Sequence, residues 1–314
     1  MFSIILNNLI ILASSLFLLI KGATLATKYA SQLARSFNLS SYTIGFIVVA
    51  VISILPETFI SINAALVGIP SFGLGVLFGS NVADLTLVFA LIIMLAGRGI
   101  QIESKILQNN ALFPLLLLLP LALGTDGYYS RTEGVALIVA GAVFYFAALR
   151  NGVSPHRNRF RKGNHALKNV LFLLGSMTLL IFGAHFIVTS ATALAYAARV
   201  SPILIGMFIV GLGTTMPELL FSLTSIKKHH DALAIGDILG TVLADATVVV
   251  GILALVRPFA FPPKIVYLTG ACMVAASLLL LYFMRSGRRL TQREAFLLLF
   301  CWILFVLVEF ALNT

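Results

Sequence analysis

Four carboxylates stand where a carboxylate is expensive. Glu57, Asp84, Glu218 and Asp245 each fall near the middle of a long apolar run. An ionised side chain at such a depth in a membrane costs at least about 2.5–3.5 kcal/mol on insertion scales. Those four runs carry Lys or Arg only at their ends, so none of their own basic residues neutralises the acids. Each Glu directly follows a proline, as Pro56-Glu57 and Pro217-Glu218. Proline lacks an N–H and clashes with the carbonyl four residues earlier, which opens the helix at Ile52 and Gly213. Opened carbonyls at membrane depth are tolerated only inside protein or facing water, where they can coordinate a cation. Hydroxyls cluster alongside at Ser53, Thr214, Thr215, Ser80 and Thr241. Ser80 and Asp84 are four residues apart, as are Thr241 and Asp245, so each pair shares one helical face. Every donor is oxygen. Such a set suits Ca²⁺, alkali ions or protons rather than zinc or copper. Four acids carry more negative charge than one Ca²⁺ neutralises, so at least one is expected to hold a proton when Ca²⁺ is bound. The same surplus lets several monovalent cations replace one divalent ion.

The elements that hold these residues recur. Residues 44–90 align with 205–251 without a gap at an offset of 161, and 12 of the 47 positions are identical. Pro56-Glu57 meets Pro217-Glu218, Ser61 meets Ser222, Gly75 and Gly79 meet Gly236 and Gly240, and Ala83-Asp84 meets Ala244-Asp245. The same offset carries Gly22-Ala23 onto Gly183-Ala184. Gly75, Gly79, Gly236 and Gly240 let a neighbouring backbone approach closely.

Composition fixes the setting. Of 314 residues, 60% are hydrophobic and 10% charged, too few charges to clothe a soluble surface. The expected fold is an all-α membrane protein with ten spans, near 3–27, 40–67, 72–97, 105–124, 130–150, 168–197, 202–226, 232–256, 263–285 and 292–312. The first lacks a positive leader and has too long an apolar run for a signal peptide. With the N-terminus outside, inside loops carry sixteen basic residues and outside loops four, a strong positive-inside bias. Both termini are then outside, in the cell membrane. Residues 1–150 form a first five-helix repeat, 151–167 a basic cytoplasmic linker and 168–314 a second repeat. Five spans is an odd number, so the second repeat is inverted, a recurring transporter design with its binding site at the midplane. The net charge of +10 belongs to these loops and calls for no nucleic acid. The linker is a candidate contact for anionic lipid.

At these residues the chain resembles the cation/calcium exchanger superfamily, and most closely its prokaryotic sodium/calcium exchangers. That family carries a Gly-Thr-Ser-x-Pro-Glu segment in each repeat, then a Gly-Ser-Asn segment ending in Asp or Asn. Here the second repeat reads Gly213-Thr214-Thr215-Met216-Pro217-Glu218 and the first Ile52-Ser53-Ile54-Leu55-Pro56-Glu57. The later segments are Gly79-Ser80-Asn81-Val82-Ala83-Asp84 and Gly240-Thr241-Val242-Leu243-Ala244-Asp245. The resemblance implies a secondary antiporter exchanging Ca²⁺ for Na⁺ by alternating access. Its implied ligands are Glu57, Asp84, Glu218 and Asp245, helped by Ser53, Ser80, Thr214, Thr215 and Thr241. The ions are cargo, and no resident cofactor or enzymatic activity is implied. It also implies that the first and sixth spans slide on a rigid core, with Gly22-Ala23 and Gly183-Ala184 as the smooth surface.

Some positions depart from the family. Ile54 stands in place of Ser and Ile52 in place of Gly, which removes a hydroxyl; Val242 replaces Asn, a packing loss. Asp84 stands where many relatives have Asn. Asp237 replaces another Asn, and either lines the vestibule or faces water near the start of its span. Fewer hydroxyls and an added acid leave Ca²⁺/H⁺ or other cation antiport as the alternative.

Elsewhere the bland readings prevail. His185 reads as a satisfied buried histidine rather than a proton relay, Glu309 as interfacial, and Lys227-Lys228-His229-His230-Asp231 as a solvated turn. Cys272 and Cys301 both lie in apolar runs and read as packing residues. An intramembrane aspartyl hydrolase using Asp84 and Asp245 lacks the Gly-x-Gly-Asp context and leaves the duplicated Pro-Glu motifs without a role. A channel would not need two alternately closing half-sites.

Overall fold

The repeat offset is visible in the backbone. The computed structural model describes residues 2–34, 46, 49–103, 112–152, 166–198 and 200–313. Within them the helices are α1 Phe2–Ala34, α2 Ala50–Leu66, α3 Pro70–Ala96, α4 Phe113–Asp126, α5 Arg131–Gly152, α6 Ala166–Ala198, α7 Pro202–Lys227, α8 Asp231–Val256, α9 Tyr267–Arg285 and α10 Gln292–Asn313. Among the described residues, eight helices are long and apolar enough to cross a bilayer, whereas α2 and α4 are shorter. The expected spans 40–67 and 105–124 begin in segments outside the described residues, as does most of the expected linker 151–167. Four two-residue strands complete the described elements: β1 Ile100–Gln101, β2 Tyr128–Tyr129, β3 Phe259–Ala260 and β4 Arg289–Leu290.

Local chemistry sets the interruptions. Helix α2 is broken at Ile54 and α7 at Thr215, each two residues ahead of its proline. The amide of Ile54 reaches Ala50 O at 3.0 Å and that of Thr215 reaches Gly211 O at 3.1 Å, closing the turn before the break. A second irregularity begins at each aspartate. Asp84–Val88 in α3 and Asp245–Val249 in α8 are π-helical turns, wide turns that favour functional sites. Thr86 and Thr247 donate hydroxyls to the carbonyls of Val82 and Leu243, four residues earlier. They thereby supply donors where the turn has widened.

Helices α3 and α8 form the centre: 89% and 83% of their apolar windows are buried, against 22% for α1 and α5. Their glycines press on the opposite repeat. A Cβ on Gly75 would meet Ile203 O of α7 at 2.8 Å, and one on Gly79 would meet Met207 O at 2.7 Å. The nearest neighbours of Gly240 in α8 are Phe46 and Ala50, the latter the first residue of α2. Each glycine-rich helix therefore packs closely on the other repeat's Pro-Glu helix. Small residues permit this approach, and dispersion between close backbones stabilises it in a lipid environment. Large apolar side chains such as Phe146, Phe182, Tyr282 and Phe300 project outward, as a lipid-facing surface requires.

Helices α1 and α6, each of 33 residues, pack chiefly along one another and touch α2 and α7. Gly22 and Gly183 have a different role from the smooth sliding surface expected of them. Their nearest neighbours are Leu179 and Ser176 of α6 for Gly22, and Leu19 and Ser15 of α1 for Gly183. They bring α1 and α6 together.

The loops interlock across the repeats. Antiparallel β1 pairs with β4, Ile100 opposite Leu290, and β2 pairs with β3, Tyr129 opposite Phe259. Exchanging the repeats turns one ribbon into the other. Beside them Ser130 and Glu133 form a capping box at the start of α5, with Ser130 N to Glu133 Oε2 at 2.7 Å. One offset later Thr291 and Glu294 form another, at 2.6 Å, for α10. Arg98 donates to Ile226 O and Arg257 to Ala65 O, positions one offset apart. Only Arg98 also meets an acid: it pairs with Asp231, whose Oδ2 lies 2.9 Å from Arg98 Nη1 and 2.9 Å from the Gln101 amide. That partner holds the Arg98 guanidinium above its ordinary pKa. The turn 227–231 is thus exposed at its two lysines and two histidines, but anchored at Asp231.

Candidate cation site

The crossing of α2 with α8 and α3 with α7 brings the acids together. Glu57, Asp84, Glu218 and Asp245 are at most 1% exposed. Glu218 has Glu57 and Asp84 as electrostatic neighbours, and Asp245 likewise has Glu57 and Asp84. The four acids therefore form one buried electrostatic cluster, the acid chamber, between the repeats. The five hydroxyl residues Ser53, Ser80, Thr214, Thr215 and Thr241 are also buried, at most 1% exposed. Thr214 of α7 faces the Glu57 carboxylate of α2 at hydrogen-bond reach, and its hydroxyl also lies 2.9 Å from Gly211 O. Ser80 donates to Leu77 O at 3.1 Å and Thr215 to Leu212 O at 3.0 Å, so both keep lone pairs free to accept.

Many oxygens of these nine residues are buried without a hydrogen-bond partner. They include Oε2 of Glu57, Oδ1 of Asp84, both oxygens of Glu218, both of Asp245 and Oγ1 of Thr241. Buried carboxylate oxygens ordinarily find donors or cations. Here the surroundings supply few donors, which suits a hard cation held by oxygen. Among the described residues, no three His, Cys, Asp or Glu side chains converge as a closed metal cage. The carboxylates are neighbours rather than a preformed shell; of the hydroxyls, Thr214 reaches Glu57 and Ser53 reaches Asp237.

Asp237 belongs to this chamber, where sequence reasoning left it between a vestibule and solvent. It is fully buried, and its Oδ1 accepts from Ser53 Oγ at 3.0 Å. Asp84 and Glu218 both have it as an electrostatic neighbour. Asn81 sits at the junction of the repeats: its amide donates 3.2 Å to the carbonyl of Val242, its own counterpart one offset later. The Val242 side chain has no amide with which to return that bond.

Two other expectations are corrected. His185 is exposed rather than buried, with its Nδ1 3.3 Å from Asn63 Nδ2 of α2. Glu309 is 2% exposed rather than interfacial, because Thr269 of α9 reaches across to donate to it. Cys272 and Cys301 are unpaired thiols lining one apolar cleft among α3, α9 and α10.

The pattern of the sodium/calcium exchanger protein family matches residues 7–150 and again residues 168–311. This chain belongs to that family. The exchanger is 30% identical to the putative antiporter CaxA of Alkalimonas amylolytica, over 92% of this chain and 94% of CaxA. It is 24% identical to the sodium/calcium exchanger MaX1 of Methanosarcina acetivorans, over 96% of this chain and 98% of MaX1. In fold it resembles the sodium-calcium exchanger NCX_Mj in a form soaked with Na⁺ and Sr²⁺. That likeness has a TM-score of 0.72 and 24% identity, and covers 96% of this chain and 97% of that one. The exchanger is accordingly an all-helical, multi-pass membrane protein of a transporter family.

Proposed function

We propose that this exchanger carries Ca²⁺ across the cell membrane against Na⁺ by alternating access. Ca²⁺ binds at the midplane to Glu57, Asp84, Glu218 and Asp245, with Ser53, Ser80, Thr214, Thr215 and Thr241 as neutral ligands. The observation that carries the reading is the cross-repeat chamber of buried acids with unpartnered oxygens. Acids of both repeats are electrostatic neighbours, so a cation bound among them ties the halves together. Na⁺ ions compete for the same oxygens, which couples the two fluxes. Both ions are cargo.

Ten spans in two inverted repeats, 1–150 and 168–314 joined by the cytoplasmic linker 151–167, suit this mechanism. Strand pairing supports the inversion. Strands β1 and β3 end corresponding helices in the two repeats, as do β2 and β4, yet pairing joins β1 to β4 and β2 to β3. Paired strands must lie on one side of the membrane. An even number of crossings per repeat would put β1 and β4 on opposite sides; five crossings bring each pair together. The basic loops favour both termini outside. The exchange partner named for MaX1 and NCX_Mj agrees with Na⁺ as counter-ion.

The test is ⁴⁵Ca²⁺ uptake into proteoliposomes loaded with Na⁺, with K⁺ and H⁺ gradients imposed separately. Outward Na⁺ alone is expected to drive uptake, and Glu57→Gln or Glu218→Gln to abolish it. Uptake driven by a pH gradient without Na⁺ would overturn the counter-ion. Unchanged uptake in either variant would overturn the site.

A further inference from the structure

We infer that the apolar cleft among α3, α9 and α10 docks one acyl chain of a bilayer lipid. Its shape follows from residue spacing. Cys272, Ala275, Ala276 and Leu279 recur at the interval of one helical face along α9, and α10 repeats that interval from Cys301 to Val308. Val82 and Thr86 of α3, four residues apart, close the back. Seven residues of helix rise about 10 Å, so the cleft is a slot along the helix axes, the direction in which acyl chains lie. Its volume is about 240 Å³. An apolar cavity of about 150 Å³ already stays dry and takes benzene. None of the lining residues is charged. Thr86 donates its hydroxyl to the Val82 carbonyl, so the lining offers apolar groups and two thiols.

The cleft has its cause in a departure from the repeat. In the first repeat α5 lies directly on α8. A Cβ on Gly134 would meet Gly251 O at 2.8 Å, and one on Gly141 would meet Thr247 Oγ1 at 2.5 Å. One offset away those contacts would join α10 to α3, but Gly134 corresponds to Ala295, Gly141 to Trp302 and Gly251 to Ala90. Trp302 is too large for so narrow a seam. Its ring packs instead against Phe208 of α7 and Phe305, with centroids 6.3 and 5.5 Å away. Helix α10 therefore stands off from Thr86, the counterpart of Thr247, and Thr86 lines the cleft. The setting names the occupant. Leu304 lines the cleft and is half-exposed, and Phe300, Leu307 and Leu278 beside it are exposed. The slot is thus continuous with the surface that this multi-pass protein turns to lipid. Beyond its Cys272 end, Lys264 and Tyr267 are exposed, and Lys264 reaches across to Leu312 O of α10. A cation and an aromatic ring at headgroup level suit the phosphate of a lipid whose chain enters the slot. A helix of a second copy is about 10 Å across, too wide to enter; a single acyl chain is not.

The experiment uses the full chain purified in detergent. Its single tryptophan, Trp302, sits against Phe305 of the cleft wall and serves as reporter. Phosphatidylcholine brominated on its acyl chain is titrated in at fixed detergent, and quenching of Trp302 is read. Wild type is compared with Ala275→Phe and Ala276→Phe, which fill the slot, and with Leu278→Phe, which alters the outer surface alone. In parallel, N-ethylmaleimide labelling of Cys272 and Cys301 is followed by mass, with and without unbrominated lipid. Wild-type quenching is expected to saturate at one lipid per chain. Each methylene excluded is worth about fourfold in affinity, so either filling variant should weaken the lipid about tenfold or more, and Leu278→Phe should leave it within about twofold. Bound lipid should slow the labelling of both thiols severalfold. Quenching that climbs without saturation, or that is the same in every variant, would overturn the assignment. So would labelling indifferent to lipid, a readout that holds even where a filling variant fails to fold. Thiols shielded only in a dimer would give the cleft to a second copy and overturn it likewise. None of these outcomes depends on which ions are exchanged.

Discussion

Arg98 and Arg257 occupy corresponding places, and replacing each with Ala isolates what an ion pair contributes. Both reach a carbonyl at the end of the opposite repeat's Pro-Glu helix, Ile226 O for Arg98 and Ala65 O for Arg257. Arg98 alone forks onto a carboxylate, with Nη1 2.9 Å from Asp231 Oδ2 and Nη2 on Oδ1. The side chains of the pair are 24% and 11% exposed. Breaking a fully buried pair costs about 3–5 kcal/mol, and an exposed pair is worth about 0–1 kcal/mol. This pair lies between, so Arg98→Ala is expected to lose about 2 kcal/mol. For a large domain that lowers Tm by roughly 4 °C or a little more. Arg257 makes one bond of 3.4 Å to Ala65 O and no acid contact, so Arg257→Ala should change stability by no more than about 0.5 kcal/mol.

The assay is thermal unfolding of the purified exchanger in detergent, with Asp231→Asn added to complete a double-mutant cycle. Once Arg98 is gone, Asp231→Asn should cost little more, because the two side chains act as a unit. The pH dependence has a definite sign. Asp231 raises the Arg98 pKa, so Arg98's contribution is present in full below the unfolded arginine pKa and lost only as pH rises through the folded value. The Tm gap between wild type and Arg98→Ala is therefore flat between pH 7 and 9. Equal Tm losses in Arg98→Ala and Arg257→Ala, or no coupling to Asp231, would refute the reasoning.

Two further outcomes test the packing. Gly79→Val should cost about 1–3 kcal/mol by overpacking and depress Ca²⁺ uptake, because the new Cβ would sit 2.7 Å from Met207 O and force α3 away from α7. Gly175→Ala, with nothing within 4 Å, should raise stability by about 0.5–1 kcal/mol; Tm and flux on the same samples separate the two. Cys272→Ala and Cys301→Ala should leave Na⁺-driven uptake within about twofold of wild type, since both thiols line an apolar cleft whose lining holds none of the four acids. A loss of flux with normal Tm would contradict that placement.

The paired acids were legible because cost makes them conspicuous: a carboxylate in an apolar run, repeated at a fixed offset beside a proline, has few bland explanations. The helix breaks were legible from proline chemistry, and they fall at Ile54 and Thr215. What the sequence concealed depends on which helix crosses which. Asp237 gives no sign of its partner, because Ser53 is 184 residues away and reached only where α2 packs on α8. Asp231 looked like part of a solvated turn because Arg98, 133 residues away, lies on the other repeat. Glu309 looked interfacial by its position near a helix end; its burial depends on Thr269 of α9, 40 residues away. The π-turns begin on the aspartates themselves, yet no residue type distinguishes them from ordinary helix. Gly22 and Gly183 were expected to form a smooth sliding surface, because periodicity cannot say which neighbour they pack against.

The two-fold scaffold and its departures divide the work between frame and chemistry. Correspondence is closest where geometry is at stake: the helix breaks, the π-turns, the capping boxes, the ribbons and the arginine-to-carbonyl bonds. It fails at a few charged positions, Asp237 against Val76 and Asp231 against Pro70. A carrier that alternates between two nearly equivalent arrangements needs the frame to be symmetric, since a large difference in packing would trap one state. It also needs its cargo to distinguish the halves, since Na⁺ and Ca²⁺ differ in charge and ligand number. Isolated polar substitutions meet both needs. They change what the chamber binds while leaving the close contacts of α3 with α7 and α8 with α2, which the glycines secure. On this argument, placing an acid at Val76 to mirror Asp237 should alter counter-ion dependence more than Tm. A variant in which Tm collapsed while Na⁺ dependence held would show that Val76 belongs to the frame instead.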